Sequence, residues 1–318
     1  MIVKLELSLK WSKSISSLLY KFIWITSTEP IARSTLNLER KKGGLSVINI
    51  HIKAESIFAS RMLKQFILDE NQVHLVTYFN ALRINPMLNI RSLPSNVAYT
   101  SKVYYNQGIS TIRKCLKVNT FPNISSKTIY ILLLDKKPPK IEDKYPLHNW
   151  NNIWENLHFK FIPIRSREIM FKYIHEILPN KCRLKQIRRA NDDLCESCDV
   201  PETNVHMLYH CEDVILPKTF LLNLLIYCRV GEVNLLRFLF LDISKRNKEL
   251  KNTVIFLIVL YISSVWYGRK NKRQIIRIYS SSLLSHINLL KRMLGDSIED
   301  LFTKEFCELC LEIINTYL

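Results

Sequence analysis

Four residues with metal-ligand chemistry stand close together in the second half of the chain, and their spacing is the strongest constraint on its fold. They form the pattern Cys195-x2-Cys198-x7-His206-x4-Cys211. Two thiols separated by two residues lie at one corner of a tight turn, and the later residues supply the opposite edge of a tetrahedron. The pattern predicts one structural zinc ion per chain, around which the neighbouring segment folds. Buried thiols without a metal are the alternative.

The spacing leaves the fourth ligand open. His206 and His210 are four residues apart on one predicted helix face and would complete a Cys2His2 site, whereas Cys211 would complete a Cys3His site. Cys182 is a more distant candidate. Each of these sets supplies four protein ligands, which leave no coordination position for a water molecule. We therefore expect a site that stabilises structure and does not act as a Lewis acid.

The chain is strongly basic. Its 318 residues include 46 Lys and Arg against 28 Asp and Glu, a formal net charge of +18. The excess is concentrated in residues 1–134 and 211–290, whereas residues 291–318 are acidic. This balance predicts a polyanionic partner, RNA or DNA before a membrane surface. A hydrophobic content of 47% excludes a disordered chain, and 6 glycines are too few for a nucleotide-binding fold with several loop glycines.

Basic residues cluster at three places where phosphate groups could bind. One cluster precedes Gly43-Gly44, one has the spacing of a single helix face just before Cys195, and one forms a stripe at i, i+4 steps after Trp266. An aromatic ring such as that of Trp266, next to a line of basic side chains, suits single-stranded nucleic acid. Bases stack on the ring, and the basic side chains contact the phosphates. Solvated basic faces and a core tryptophan are the alternatives. The predicted nucleic-acid-binding residues are Arg40, Lys41, Lys42, Lys181, Lys185, Arg188, Arg269 and Arg273.

Hydrophobic periodicity predicts a mainly α protein. Apolar residues recur at helical intervals in residues 11–25, 52–68, 216–240 and 251–292. The alternation of apolar and polar residues around Gly43-Gly44 predicts a short β-hairpin. The apolar run from Val254 to Tyr267 is shorter than the roughly 20 residues of a membrane-spanning helix, so it indicates a buried helix.

Composition divides the chain into four predicted regions. They are a helical segment at 1–84, a proline-rich connector with short helices at 85–149, the metal-binding region at 150–215 and a helical region at 216–318. Residues 1–20 hold no signal-peptide core, and the 8 cysteines are interpreted as reduced thiols or metal ligands. We therefore expect the protein inside the cell, in the nucleus or the cytoplasm, with no membrane partner.

Two stretches resemble the C-terminal part of LINE-type (non-LTR) retrotransposon reverse transcriptases. The first carries Phe22, Trp24, the basic turn before Gly43-Gly44 and the helix from Ile52, in the order found in that family's thumb. The second runs from Trp150 to the cysteine cluster and resembles the family's zinc-binding region. The resemblance implies that residues 1–84 are thumb-like and grip a template–primer duplex. It also selects Cys211 as the fourth zinc ligand in a CCHC zinc knuckle.

The catalytic motifs of that family are missing. Reverse transcription needs paired aspartates on a hairpin to hold two Mg²⁺ ions, and no aromatic-x-Asp-Asp hairpin occurs here. No acidic cluster indicates an endonuclease or an RNase H. We therefore expect a non-catalytic reverse transcriptase fragment that begins inside the thumb, binds zinc structurally and binds RNA or DNA. A zinc-stabilised helical module that binds another protein, and a decayed element product without function, are the alternatives.

Overall fold

The fold is known for most of the second half of the chain and for parts of the first. A computed structural model describes residues 9–24, 29–68, 111–112, 125–134, 137–231, 233–244, 247–271, 274–298, 302–303, 306 and 308. Within these ranges the protein is mainly α-helical, as predicted, and has no β-strand. An isolated antiparallel bridge joins Leu194 and Pro201.

The helices are short in the middle of the chain and long near its end. A 3-10 turn at Arg40–Lys42, called the basic turn below, and one π-helical turn at His206–His210 interrupt the α-helices. The α-helices are α1 Leu9–Trp24, α2 Arg33–Asn37, α3 Ile50–Leu68, α4 Ser126–Leu133, α5 Lys140–Lys144, α6 Trp150–Leu157, α7 Ile164–Ile174, α8 Lys181–Gln186, α9 Ile215–Tyr227, α10 Leu235–Leu239, α11 Lys248–Lys270 and α12 Ile275–Leu294.

The chain divides into two compact units. Unit 1 comprises Met1–Leu38 and Gly44–Lys137, and unit 2 comprises Glu39–Gly43 and Pro138–Leu318. In unit 1, α3 packs against α1 and α4. The hydroxyl of Tyr20 donates to Asn37 Oδ1 at 2.8 Å in its interior, so the end of α2 is tied to α1.

The β-hairpin predicted around Gly43-Gly44 does not form. Its first half is the helix α2, and the amides of Leu45 and Val47 both donate to the carbonyl of Leu36, at 3.1 and 3.0 Å. The last carbonyls of a helix have no partner within it, and here the returning chain supplies one. Two amides that share one carbonyl do not make the alternating pairs of an antiparallel ladder. Apolar alternation therefore predicted neither the backbone of this segment nor all of its burial, because Asn37 is buried and Ile48 is 53% exposed.

The core of unit 2 is built on α11. Every residue of this helix from Asn252 to Val265 is buried, and α7, α9, α10 and α12 pack around it. Its first turn is capped by Asn247, whose side-chain oxygen accepts from the amide of Leu250 at 2.9 Å. Because α11 is apolar on all sides, it is stable only when other helices shield every side from water. The arrangement of the helices in unit 2 follows from this requirement.

Among the described residues, α11 is the one helix long and apolar enough to cross a membrane by length and composition. However, 78% of its most apolar window is buried inside the protein. A central core helix passes the same test of length and composition, so the burial is the more informative observation. The predicted buried helix is confirmed at this position.

The basic turn is held in unit 2 by Gly43. This residue has φ of 77°, and a Cβ atom at its position would lie 2.7 Å from the indole ring of Trp154 in α6. The Nε2–H of His175 donates to the Gly43 carbonyl at 3.1 Å, and the His175 ring stacks on Trp154. Burial lowers the pKa of His175 to about 4, so the ring is neutral and the hydrogen bond persists at neutral pH.

We expect Gly43→Ala to destabilise unit 2 by about 2–4 kcal/mol, from backbone strain plus the overlap with Trp154. Gly231→Ala is a matched control, since Gly231 has φ of 73° and no atom within 4 Å of an added Cβ. Gly231→Ala should lower the free energy of unfolding only by the backbone strain, about 1–2 kcal/mol. Urea unfolding of the two variants measures the difference, and equal losses would show that the contact with Trp154 is not tight.

Candidate metal centre

The first two ligands of the predicted metal site lie on a closed loop after α8. The amide of Cys195 donates to the carbonyl of Val200 at 2.8 Å, and the amide of Asp199 donates back to the carbonyl of Cys195 at 3.0 Å. Asp199 has φ of 51°, in the left-handed region, so the chain reverses direction directly after Cys198. The loop therefore brings two thiols that are three residues apart to the same place.

The other two ligands stand at the ends of the π-helical turn. The amide of Met207 donates to the carbonyl of Thr203 at 2.9 Å, and the amide of Cys211 donates to the carbonyl of His206 at 2.8 Å. A π-helical turn is wider than an α-helical one and commonly marks a functional site. Here it places Cys211 beside His206, so that both side chains face the loop of Cys195.

The four side chains form one compact cluster. The ligand atoms of Cys195, Cys198, His206 and Cys211 lie within 4.8 Å of one another, and the sulfurs of Cys195 and Cys198 each lie 3.7 Å from that of Cys211. Zinc–sulfur bonds of about 2.3 Å in a tetrahedron give sulfur–sulfur edges of roughly 3.8 Å. A disulfide would require about 2.05 Å. The spacing therefore fits four ligands around a metal ion.

The surroundings of the cluster also suit a metal. Cys195, His206 and Cys211 are buried, and Cys198 is half-buried. The Nε2 atom of His206 is buried and has no hydrogen-bond partner among the described residues. An unpartnered buried nitrogen is costly unless something else satisfies it. These four residues could hold a metal ion.

The structure selects among the alternatives for the fourth ligand. Cys211 is fully buried in the cluster, whereas His210 is exposed at the end of the π-helical turn. Cys182 lies outside the cluster, and its sulfur is 3.9 Å from the carbonyl of Asp193. His206 and His210 do not share a helix face as predicted, because the turn between them is π-helical and not α-helical.

An arginine from the core helix contacts the cluster directly. The guanidinium of Arg269, near the end of α11, donates to the sulfur of Cys211 at 3.1 Å and to that of Cys195 at 3.4 Å. It also donates to Glu202 and lies 3.5 Å from Asp213. The side chains of Arg269 and Glu202 are only 13% and 11% exposed. The nearly buried ion pair between Arg269 and Glu202 therefore fixes the cluster to the core.

The charges in this cluster shift the pKa values of its members. Burial raises the pKa of Cys195, but the hydrogen bond from Arg269 and the neighbouring His206 ring outweigh it and lower the pKa to about 6. Burial raises the pKa of Cys211 to about 12, so the pair of adjacent thiols loses its first proton at Cys195. Burial would lower the pKa of Arg269, but both thiols and Glu202 raise it above its usual range. The guanidinium is therefore a fixed positive charge.

Further groups hold the π-helical turn against the core. The buried hydroxyl of Tyr261 in α11 donates to the carbonyl of Leu208 at 2.7 Å, and the ammonium of Lys218 in α9 donates to the carbonyl of Tyr209 at 2.7 Å. Both carbonyls lie inside the turn that carries His206 and leads to Cys211. No sequence pattern indicates these supporting residues, since a tyrosine in an apolar helix gives no signal of its partner.

The predicted nucleic-acid-binding residues occupy varied positions. Arg40, Lys41 and Lys42 are exposed on the basic turn. Lys181 forms ion pairs of 3.4–3.6 Å with Glu196 and Asp192, and Lys185 pairs with Asp193 at 2.7 Å. These two lysines are on α8 and partly neutralised by the acids of the loop that follows.

The two predicted basic faces are not continuous. α8 ends at Gln186, and Arg188 is exposed beyond it with φ of 56°, so it does not share a helix face with Lys181. The stripe after Trp266 is interrupted in the same way, because α11 ends at Lys270 and α12 begins at Ile275. Arg269 lies against the thiols and not on a surface stripe, and Arg273 lies outside the described residues.

The fold and the cluster define a mainly helical protein with a Cys3His group that could hold a metal ion. Comparison of the chain with known protein families and with curated proteins finds no match.

Proposed function

We propose that this protein is a non-catalytic, zinc-stabilised nucleic-acid-binding protein, related to the C-terminal part of LINE-type reverse transcriptases. The observation that carries the proposal is the Cys3His cluster fixed to a basic helical unit by Arg269. The relationship rests on the resemblance of the thumb-like and knuckle segments. The binding of RNA or DNA rests on the net charge of +18 and on the exposed basic turn.

Zinc is the metal that the donor set favours. Three thiolates and an imidazole are soft or borderline ligands, which suit Zn²⁺ better than Mg²⁺ or Ca²⁺. With four protein ligands the coordination shell is complete, so the ion would stabilise the fold and activate no water. One zinc ion with three thiolates leaves one net negative charge, and Arg269 supplies the opposite charge at hydrogen-bond distance. The metal itself would not attract phosphate.

The basic turn is the best-defined candidate for phosphate contacts. Arg40, Lys41 and Lys42 are consecutive, exposed and outside any long helix, and Gly43 fixes their backbone. The ion pair of Lys42 with Glu39 is long, at 3.7 Å, and both partners are exposed, so it holds Lys42 only weakly. Three adjacent cations on a fixed turn could contact consecutive phosphates of a nucleic-acid strand.

We expect binding of a fluorescein-labelled oligouridine to weaken steeply with salt, because bound cations release counterions from the strand. Replacing Arg40, Lys41 and Lys42 together with glutamine should lower the slope of log K against log salt by roughly 2 units, about 0.7 per lost phosphate contact. Fluorescence anisotropy at several salt concentrations measures both quantities.

A matched control removes the same charge elsewhere in unit 2. Arg229, Lys248 and Arg292 are exposed cations, and their replacement with glutamine lowers the net charge equally. If this control reduces the slope as much as the triple variant, the basic turn has no special role. Binding that does not depend on salt, or no binding at all, would contradict the proposed function.

A protein-binding role is the second candidate, and one surface favours it. α9 exposes four large apolar side chains, Ile215, Leu216, Ile226 and Tyr227, which are 44–67% exposed. Isolated exposed apolar residues are ordinary, but a helix that exposes them at both ends suits contact with another protein. Loss of affinity for a partner in an Ile226→Ser variant, with unchanged nucleic-acid binding, would favour this alternative.

A further inference from the structure

A partly open cavity of about 1000 Å³ lies beside the metal cluster in unit 2. It is lined by α8, the loop of Cys195, the start of α9, the end of α11 and the start of α12. One wall contains Glu202 and Arg269, the ion pair that fixes the cluster to the core. A cavity of this size with apolar side chains and a few polar groups is the usual form of a ligand-binding site.

The charged residues that line the cavity balance one another. Three are cations and three are acids: Lys181, Arg269, Lys270, Glu196, Glu202 and Asp213. The ammonium of Lys181 lies 3.4 Å from the carboxylate of Glu196. The guanidinium of Arg269 pairs with Glu202 and lies 3.5 Å from Asp213. Lys270 is exposed and is the one charged lining residue without an ion pair in the described part of the chain. This balance does not favour a bare anion, but it leaves one free cation.

The uncharged part of the lining is mostly apolar and includes one aromatic ring. Trp266 of α11, Leu216 of α9 and Ile276 of α12 all line the cavity. Trp266 is half-buried, and among the described residues no ring or cation contacts its indole. Leu216 is 56% exposed. A partly exposed indole among apolar side chains is a surface on which the flat ring of a ligand can stack.

The first turn of α12 adds groups that favour a phosphate. Gln274, Ile275 and Ile276 line the cavity at this end of the helix. The side chain of the N-cap residue, Gln274, makes no capping hydrogen bond, and the first turn holds no acidic residue. The first amides of a helix have no partner within it and lie at the positive end of its dipole. The cavity therefore combines an aromatic surface with positive groups from two elements, α12 and Lys270 of α11.

We propose that this cavity binds one unpaired nucleotide of a single-stranded nucleic acid. The base stacks on Trp266, and its phosphate is held by Lys270 and the first amides of α12. Stacking combined with cation contacts binds single strands with little sequence preference. The inference rests on the proposed function and deepens it, because it adds a base contact to the phosphate contacts of the basic turn. The net charge of +18 favours a nucleic acid over a side chain of a protein partner as the occupant.

The first test measures the affinity of the full chain for labelled oligouridine and for a strand of equal length and charge that carries no bases. The unmodified protein should bind oligouridine more tightly. Trp266→Leu keeps an apolar side chain but removes the ring, so we expect its affinity for oligouridine to fall roughly five- to hundredfold, with little change for the base-free strand. Trp266→Phe keeps a ring and should retain most of the affinity.

Two further variants complete this comparison. Tyr227→Leu is the matched control, since Tyr227 is an aromatic residue of α9 that is 44% exposed and lies outside the cavity lining. It should leave both affinities unchanged. Lys270→Gln should lower the slope of log K against log salt by about 0.7, the value for one lost phosphate contact on a single strand. Metal content and urea unfolding verify that each variant is folded.

Uridine monophosphate is the second probe, with ribose phosphate as the reference. We expect the nucleotide, and not ribose phosphate, to quench the tryptophan fluorescence of the unmodified protein, because the base stacks on Trp266. The quenching should be absent in Trp266→Phe, which lacks the emitting ring.

The outcomes separate the cavity from the proposed function. Trp266→Leu that loses no affinity, or loses it equally for both strands, together with no quenching by the nucleotide, would overturn the cavity site while salt-dependent binding still stands. Quenching by the nucleotide without any oligouridine binding would support a nucleotide site and contradict the proposed function. The absence of both would contradict both.

Discussion

Replacing Cys198 with serine is expected to remove the metal and to unfold the segment that carries it. The Cys198 sulfur lies 3.7 Å from that of Cys211, and it also accepts from the amide of Glu212 at 3.3 Å. Zinc sites in small peptides contribute apparent binding free energies of about 10–16 kcal/mol, and a serine hydroxyl is a poor ligand for zinc. We therefore expect the zinc content to fall from about one ion per chain to near zero, as measured by atomic emission.

Cys182→Ser provides the control for this experiment. Cys182 is a half-buried thiol close in sequence to the cluster, and within the described part of the chain its sulfur makes one long contact, 3.9 Å to the carbonyl of Asp193. Its replacement should leave the zinc content unchanged and alter the thermal midpoint little. Protein purified without chelator that contains no metal, or a Cys198→Ser variant that retains its zinc, would contradict the proposed zinc site.

The second large effect is expected at Arg269. Arg269→Met keeps most of the side-chain volume but removes the charge that lies between the thiols and Glu202. Glu202 would remain almost buried without its partner, and breaking a buried pair in this way costs about 3–5 kcal/mol. Removing a group that supports metal ligands typically lowers metal affinity by about 10–100-fold. Competition with a chromogenic chelator measures the affinity, and urea unfolding measures the stability.

Two further variants separate charge from packing. Lys270→Met removes an exposed cation from the next position of α11, and it should change neither the metal affinity nor the stability of unit 2 measurably. Adding Glu202→Gln to Arg269→Met should recover part of the lost stability, because the unpaired buried carboxylate disappears. If Lys270→Met weakened zinc binding as much as Arg269→Met, the effect would be long-range electrostatics and not the contact with the thiols.

The metal cluster shows how much of a site the spacing of neighbouring residues can predict. The pattern of Cys195, Cys198 and His206 was sufficient to predict a four-ligand group, because all its members lie within one short segment whose turns bring them together. Spacing alone did not decide between His210 and Cys211. That choice depends on a π-helical turn, whose backbone hydrogen bonds are not encoded by any residue pattern at this length.

Arg269 shows what local spacing misses. Its position after an apolar run, followed by further basic residues, predicted an exposed stripe. The structure instead places it against Cys195 and Cys211, which are 74 and 58 residues away in the chain. A similar long-range contact joins the Gly43 carbonyl to His175, 132 residues further along the chain. Neither contact follows from periodicity, because periodicity gives the face of a helix and not the element that covers it.

The sequence by itself determined the helical class, the buried character of α11 and the residues that could hold a metal, because each is a property of neighbouring residues. The family resemblance already implied Cys211 as the fourth ligand, and the tertiary structure brings Cys211 into the cluster. Only the tertiary structure decided that α2 replaces a strand and that Arg269 faces the thiols. These outcomes depend on which long-range partners satisfy a buried carbonyl, sulfur or charge. Burying an unpaired polar group costs free energy. The packing of distant elements, and not the local pattern, therefore determines where Cys211, α2 and Arg269 lie.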